Sequence, residues 1–179
     1  QSTSRMRRCD SYIYLSLIAA VLAATFMACS RFGQRAIEVA PDVVLIPIAR
    51  DGKMGYCDKT KRMIIPRRFD SADTFREGRA RVKSGEKYGF IDRTGREIAG
   101  YKYDDADTWF SEGLARVKVG DKSGFIDPEG KLVIPLKFDS AGSFSDGLAT
   151  VEVGGRHGYV DHNGDVVIAA EYDHTVKFT

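Results

Sequence analysis

The feature that most constrains this chain is a motif that returns at a nearly fixed step. Gly55-Tyr56-Cys57-Asp58, Gly89-Phe90-Ile91-Asp92, Gly124-Phe125-Ile126-Asp127 and Gly158-Tyr159-Val160-Asp161 are 34, 35 and 34 residues apart. A second landmark keeps the same step: Phe69-Asp70, Tyr103-Asp104, Phe138-Asp139 and Tyr172-Asp173. A third is Glu77-Gly78, Glu112-Gly113 and Asp146-Gly147. Three landmarks sharing one period define a tandem repeat, whose units bury a core by stacking on one another. The spacing of 35 comes from one insertion. Ala106-Asp107-Thr108-Trp109-Phe110 matches Ala72-Asp73-Thr74-Phe75 with Trp109, the sole tryptophan, added.

Each unit predicts three short strands. In Leu114 to Val119, Ala115, Val117 and Val119 alternate with Arg116 and Lys118. That period of two marks a half-buried strand. A glycine turn such as Gly120-Asp121 leads into the Gly-aromatic-aliphatic-Asp strand. The third strand, Lys131 to Asp139, is apolar on both faces, and Ile64, Ile98, Val133 and Val167 align within it. That pattern predicts cover on both sides. Pro66 and Pro135 require an edge or a bulge there. The connection Asp139 to Gly147 reads as turns with room for one helical turn. The fold expected is an all-β, solenoid-like array of four three-stranded antiparallel units over residues 43–179.

The recurrent acids look like chemistry but have a structural reading. Asp92-Arg-Thr-Gly95, Asp127-Pro-Glu-Gly130 and Asp161-His-Asn-Gly164 share the form Asp-x-x-Gly. It suits a hairpin on a type I turn, with Asp bonding the backbone ahead and Gly left-handed. A hydrolase would need one special carboxylate pair, not the same acid in every unit. Lys53, Lys87, Lys122 and Arg156 also recur; with Glu77, Glu112 and Asp146 they predict rows of opposite charge that pair between units, keep edges soluble or bind an anionic polymer. His157, His162 and His174 occupy positions the repeat leaves free and read as surface histidines, without a metal or other cofactor. Units that agree explain folding, so a binding surface is sought where they differ: Tyr88, Trp109 and His157.

The pattern Gly-Leu-Ala-x-Val, basic, Gly, aromatic, Ile, Asp, Gly, Val-Ile-Pro, aromatic-Asp resembles the WG (KWG) repeat of bacterial β-rich proteins. It covers about Val43 to Thr179, although Met54, Tyr88, Ser123 and His157 stand where that family has its naming Trp. The resemblance implies extracytoplasmic or interaction roles and no shared enzymatic mechanism.

The first residues read as a targeting segment. From Met6, Arg7 and Arg8 precede an apolar run, Tyr12 to Met27, too short for a typical spanning helix. Phe26-Met27-Ala28-Cys29-Ser30 resembles the lipobox of bacterial lipoproteins. That resemblance implies residues 1–28 as signal peptide, Cys29 as the lipidated residue, residues 29–42 as lipidated cysteine and tether, and an exported protein held to the membrane by its lipid. Ser30 then implies the outer membrane. Cys9 would leave with the signal, so Cys57 has no intramolecular partner and reads as a core residue. Without Arg5, Arg7, Arg8 and Asp10, the 27 basic and 25 acidic residues become 24 and 24, which argues against a nucleic-acid partner. The function expected is a non-enzymatic interaction or structural module of the cell envelope, facing a protein or a glycan. The alternatives are a carboxylate-based hydrolase of an envelope glycan and a passive spacer.

Overall fold

The computed structural model describes residue 40 and residues 42–174. The signal segment, Cys29 and most of the tether lie outside these residues. Within them the chain is all-β, with fifteen strands in four antiparallel sheets, one for each repeat.

The first sheet holds β1 (Ile46–Arg50), β2 (Lys53–Cys57) and β3 (Met63–Phe69) in that order. The second adds a two-residue edge: β4 (Ser71–Ala72), β5 (Arg79–Ser84), β6 (Lys87–Asp92) and β7 (Glu97–Tyr103). The third repeats this as β8 (Asp105–Ala106), β9 (Ala115–Val119), β10 (Lys122–Ile126) and β11 (Leu132–Phe138). The fourth is β12 (Ser140–Ala141), β13 (Ala149–Val153), β14 (Arg156–Val160) and β15 (Val166–Tyr172). Among the described residues no sheet closes into a barrel.

The prolines of the third strand are accommodated both ways. β3 and β11 are sheet edges, and both are bulged. Ser123 pairs with Phe138 and Phe125 with Ile134, so β11 takes four steps where β10 takes two. Pro135, Leu136 and Lys137 occupy the bulge. The bulge explains the glycine that opens each motif. A Cβ on Gly124 would stand 2.5 Å from the Ile134 carbonyl oxygen, and one on Gly55, Gly89 or Gly158 would meet its own third strand as closely. Only glycine lets the two backbones approach. Pro47 in β1 is spared in another way. Counting in twos from the hairpin-closing pair Arg50 and Lys53 places it in a non-hydrogen-bonded pair with Tyr56.

The core lies between units. Tyr56, Ile65 and Phe69 of the first unit pack with Ala80, Val82 and Ile91 of the second. Phe90 and Tyr103 pack with Ala115, Val117 and Ile126. Phe125, Ile134 and Phe138 pack with Ala149, Val151 and Val160. At each of these three junctions, then, the aromatic residue of one motif faces the aliphatic residue of the next. Cys57, at the aliphatic position of the first unit, is a buried free thiol. Aromatics from the connections close the clusters: Phe75 on Tyr56, Phe110 on Phe90 and Phe144 on Phe125, with centroids 4.7–5.1 Å apart.

Two expectations change. The strand buried on both faces is the central second strand, not the third. Val133 and Val167 are exposed, whereas Ile64 is buried in the first cluster and Ile98 is half-buried against the second, so this row is covered in the first two units only. The connection after Asp139 contains no helical turn. It forms β12 and then a two-residue turn, Ser145 to Leu148, whose backbones bond reciprocally. Asp146 (φ 52°) and Gly147 (φ 81°) both take positive φ, as type I′ demands. Glu77-Gly78 and Glu112-Gly113 do the same.

Candidate interaction surface

The Asp-x-x-Gly acids are turn residues. Asp92 Oδ1 accepts from the Thr94 and Arg96 amides at 2.9 and 3.0 Å; Asp127 accepts from Glu129 and Lys131, and Asp161 from Asn163 and Asp165. Gly95, Gly130 and Gly164 are left-handed, with φ of 82–84°. Burial pushes the Asp92 carboxyl up. The hydrogen bonds from Thr94 and Arg96 outweigh it and hold the acid below its ordinary range. A carboxylate so occupied is poorly placed to donate a proton to a leaving group.

The repeated cations pair differently from the expected rows. Lys53 reaches Asp70 at 2.6 Å and Lys122 reaches Asp139 at 2.5 Å; Lys87 and Arg156 meet Asp104 and Asp173 in the same way. These acids belong to the aromatic-Asp landmark, not to Glu77, Glu112 or Asp146. Each of the first three carries a second bond forward. Gly85 N, Gly120 N and Gly154 N donate to Asp70, Asp104 and Asp139 at 2.7–2.8 Å. One carboxylate thus ties its own second strand to the hairpin of the next unit. Glu77 and Glu112 instead supply the first central residue of type I′ turns. Glu112 also accepts from Gly147 N at 3.0 Å and lies 3.0 Å from His162 Nε2.

The three residues singled out by divergence fare differently. Tyr88 is half-buried against the second cluster, under Arg81 and Lys83 at 4.8 and 5.3 Å from its ring. His157 is half-buried in β14, between Glu152 and Tyr172 across the sheet. Tyr88 and His157 fill equivalent positions of the second and fourth units, so the third unit intervenes. The ring contact seen for Trp109 is with Arg76, not with either of them. His162, read as a surface histidine, stacks on Phe144 at 4.5 Å between centroids and 12° between planes. No group of three or more potential metal ligands occurs among the described residues.

Trp109 is the exposed one, at 51%. The Arg76 guanidinium lies 5.0 Å over its ring. Arg76 opens the tight turn Arg76–Arg79, and Arg79 closes it. Arg79 donates from Nε to Pro128 O at 2.8 Å and from Nη1 to Glu77 O at 2.9 Å. It also approaches Glu129 at 3.4 Å and lies 5.9 Å over Phe110. The same turn lines a cleft of about 350 Å³ between the second and third units, walled by Arg79, Asp92, Arg96, Glu97, Pro128 and Glu129. One turn therefore meets an exposed indole through Arg76 and lines a mixed-charge cleft through Arg79. Sequence reasoning found Trp109 and missed Arg76 and Arg79. The signal was available: Ser111 and Ser145 align with Arg76, and Leu114 and Leu148 with Arg79, so both arginines occur in one unit alone.

The family model described as "WG containing repeat" matches residues 54–88, 88–122, 124–156 and 158–179. The chain belongs to the WG repeat family. Its four matches equal the four sheets in number, each running from the second strand of one sheet, and the first three continue into the sheet that follows; this WG chain keeps the repeat's glycine while replacing the preceding tryptophan with Met54, Tyr88, Ser123 and His157. Comparison with curated proteins gave no match.

Proposed function

We propose that this WG-repeat chain is an exported, lipid-anchored interaction module. It holds a protein or a glycan of the cell envelope at the junction of its second and third units, without chemistry. The observation that carries this reading is the single place where the repeat is broken by an insertion. There an exposed indole sits under a guanidinium, beside a polar cleft. An indole face suits the C–H face of a sugar or an apolar side chain. The guanidinium and carboxylate groups of the cleft suit hydroxyls and amides, and they fix orientation. The occupied turn acids favour binding over hydrolysis.

Trp109 is the sole tryptophan, so its emission reports the site directly. The full-length chain in detergent is titrated with soluble envelope glycan fragments and, separately, with envelope protein extract. The expected result is a saturable change in emission that Arg76→Ala or Glu97→Gln weakens. Emission that neither class of partner moves would sink the reading. The anchor is tested apart, by metabolic acyl labelling: label retained after Cys29→Ala excludes it.

A further inference from the structure

The two ends of the array are not alike, and their differences match. In every internal junction the Asp-x-x-Gly turn of one unit sits on the unit before it. The glycine lies against the third strand: a Cβ on Gly95 would be 3.0 Å from Ile65, and one on Gly164 would be 3.0 Å from Ile134. The glycine carbonyl accepts from a cation on that strand, Arg68 to Gly95 O at 2.6 Å and Lys137 to Gly164 O at 3.4 Å. The second turn residue meets the preceding type I′ turn or its equivalent. Arg93 donates to Val43 O, Arg79 bonds Pro128 O, and His162 meets Glu112.

The first unit's own turn, Asp58-Lys59-Thr60-Lys61, has nothing of this kind to sit on in the described chain. It keeps the fold, since Asp58 Oδ1 accepts from Thr60 N and Arg62 N at 2.8 and 3.0 Å and Lys61 takes φ 66°. It carries Lys59 where the second turn residue stands and Lys61 where the glycine stands, both exposed. The last unit offers the matching seat. Val166, Val167 and Tyr172 are 62%, 54% and 56% exposed, and Ile168 is half-buried where Ile65 and Ile134 are covered. Glu171 replaces Arg68 and Lys137, and Asp146 stands where the third unit has Glu112. Ala169 and Ala170 replace Pro135 and Leu136, so the seat is less bulky there. Among the described residues none of these four charged side chains has an ion-pair partner.

We propose that a second copy of this chain docks head to tail, its first-unit turn on the fourth-unit face of its neighbour. Lys61 meets Glu171 and Lys59 meets Asp146, which replaces the cation-to-carbonyl bond of the internal junctions with ion pairs. The contact continues an interface the chain already makes three times. It joins unlike surfaces, so repetition yields a ring or a filament. It is independent of the Trp109 surface.

The test uses the full-length chain in excess detergent, with isotopically light and heavy copies mixed. Light scattering is expected to show concentration-dependent oligomers, and zero-length cross-linking to join Lys61 of one isotope to Glu171 of the other. Lys61→Glu or Glu171→Lys alone should weaken association at least tenfold, and the double reversal should restore it. Both sites are exposed, so the thermal midpoint of each variant at low concentration checks that folding is intact. A chain monomeric at every concentration, oligomers indifferent to both single reversals, or no recovery in the double variant would each overturn the proposal.

Discussion

The third strands of the third and fourth units are near copies with different surroundings. Leu132-Val-Ile-Pro-Leu-Lys-Phe138 and Val166-Val-Ile-Ala-Ala-Glu-Tyr172 share length, bulge and partner strand. Yet Ile134 and Phe138 are buried, whereas Ile168 is half-buried and Tyr172 is exposed. A similar strand gains its core only when another unit follows. The array is thus stabilised at junctions rather than within units. Substitutions at matched positions should therefore have unmatched costs.

The largest contrast concerns the glycine that faces the bulge. Gly124→Val forces a side chain into the Ile134 carbonyl at 2.5 Å, and the atoms it meets are backbone held between two units. We expect a loss above about 4 kcal/mol, at the upper end of single substitutions. Gly158→Val meets the Ile168 carbonyl at 2.4 Å. There the strand has solvent on its outer side and can shift, so the loss should be clearly smaller. Chemical denaturation of both variants measures the difference. Equal losses would break the view that junctions hold the fold.

Cavity formation gives the next contrast. Ile134→Ala empties a fully buried site, which costs about 3 kcal/mol. Ile168→Ala removes a half-exposed side chain and should cost about 1 kcal/mol, at a dilution where copies are separate. The ratio of the two losses is the reading. A ratio near one would place the core inside each unit.

How far the sequence foretold this contrast follows from what a period can encode. The four units, their strands and the Asp-x-x-Gly turns were legible, because alternation and turn chemistry are local. The bulge was half legible: Pro135 demanded an edge or a bulge, and Gly124 is its counterpart across the ladder. The partners of the cations were not legible. Lys122 pairs with Asp139 only because the bulge sets the register between β10 and β11, and a list of recurring charges holds no register. The doubly covered strand was misplaced for a related reason. Val133 looked internal, but exposure depends on what covers an edge. At the candidate surface, Trp109 was visible as an insertion. The cleft beside it was not, because Arg79 and Pro128 meet only across a junction.

Acid should sharpen the same comparison. Asp139 accepts from Lys122 and from the Gly154 amide of the next unit, and these bonds, Lys122 first, hold its carboxyl below the ordinary range. Asp70 and Asp104 are lowered likewise by Lys53 with Gly85 and by Lys87 with Gly120. A depressed folded pKa means that the unfolded chain binds protons first. The stabilisation is therefore complete above the unfolded value of about 3.9 and is lost as pH falls through the lower folded values. Thermal midpoints should drop steeply below about pH 4. Asp139→Asn should flatten that drop more than Asp173→Asn, since Asp139 also accepts from Gly154 N, whereas among the described residues Asp173 meets Arg156 alone. Identical acid slopes for the two variants would show that the forward bond contributes nothing.

The smallest effect on folding belongs to Trp109, and its smallness is informative. The indole is half exposed, it lies on the connection between β8 and β9, and the contact with Arg76 is a surface cation–π pair worth about 0.5–1 kcal/mol. Trp109→Ala should therefore leave the denaturation midpoint almost unchanged. Phe110→Ala, one residue on and buried against Phe90, should lose about 3 kcal/mol. If Trp109→Ala destabilises as much as Phe110→Ala, the insertion is a structural plug and the binding surface must be sought elsewhere. If folding is spared while partner capture is lost, the insertion marks a position shaped by recognition, because stability gives no reason to keep a large exposed ring there.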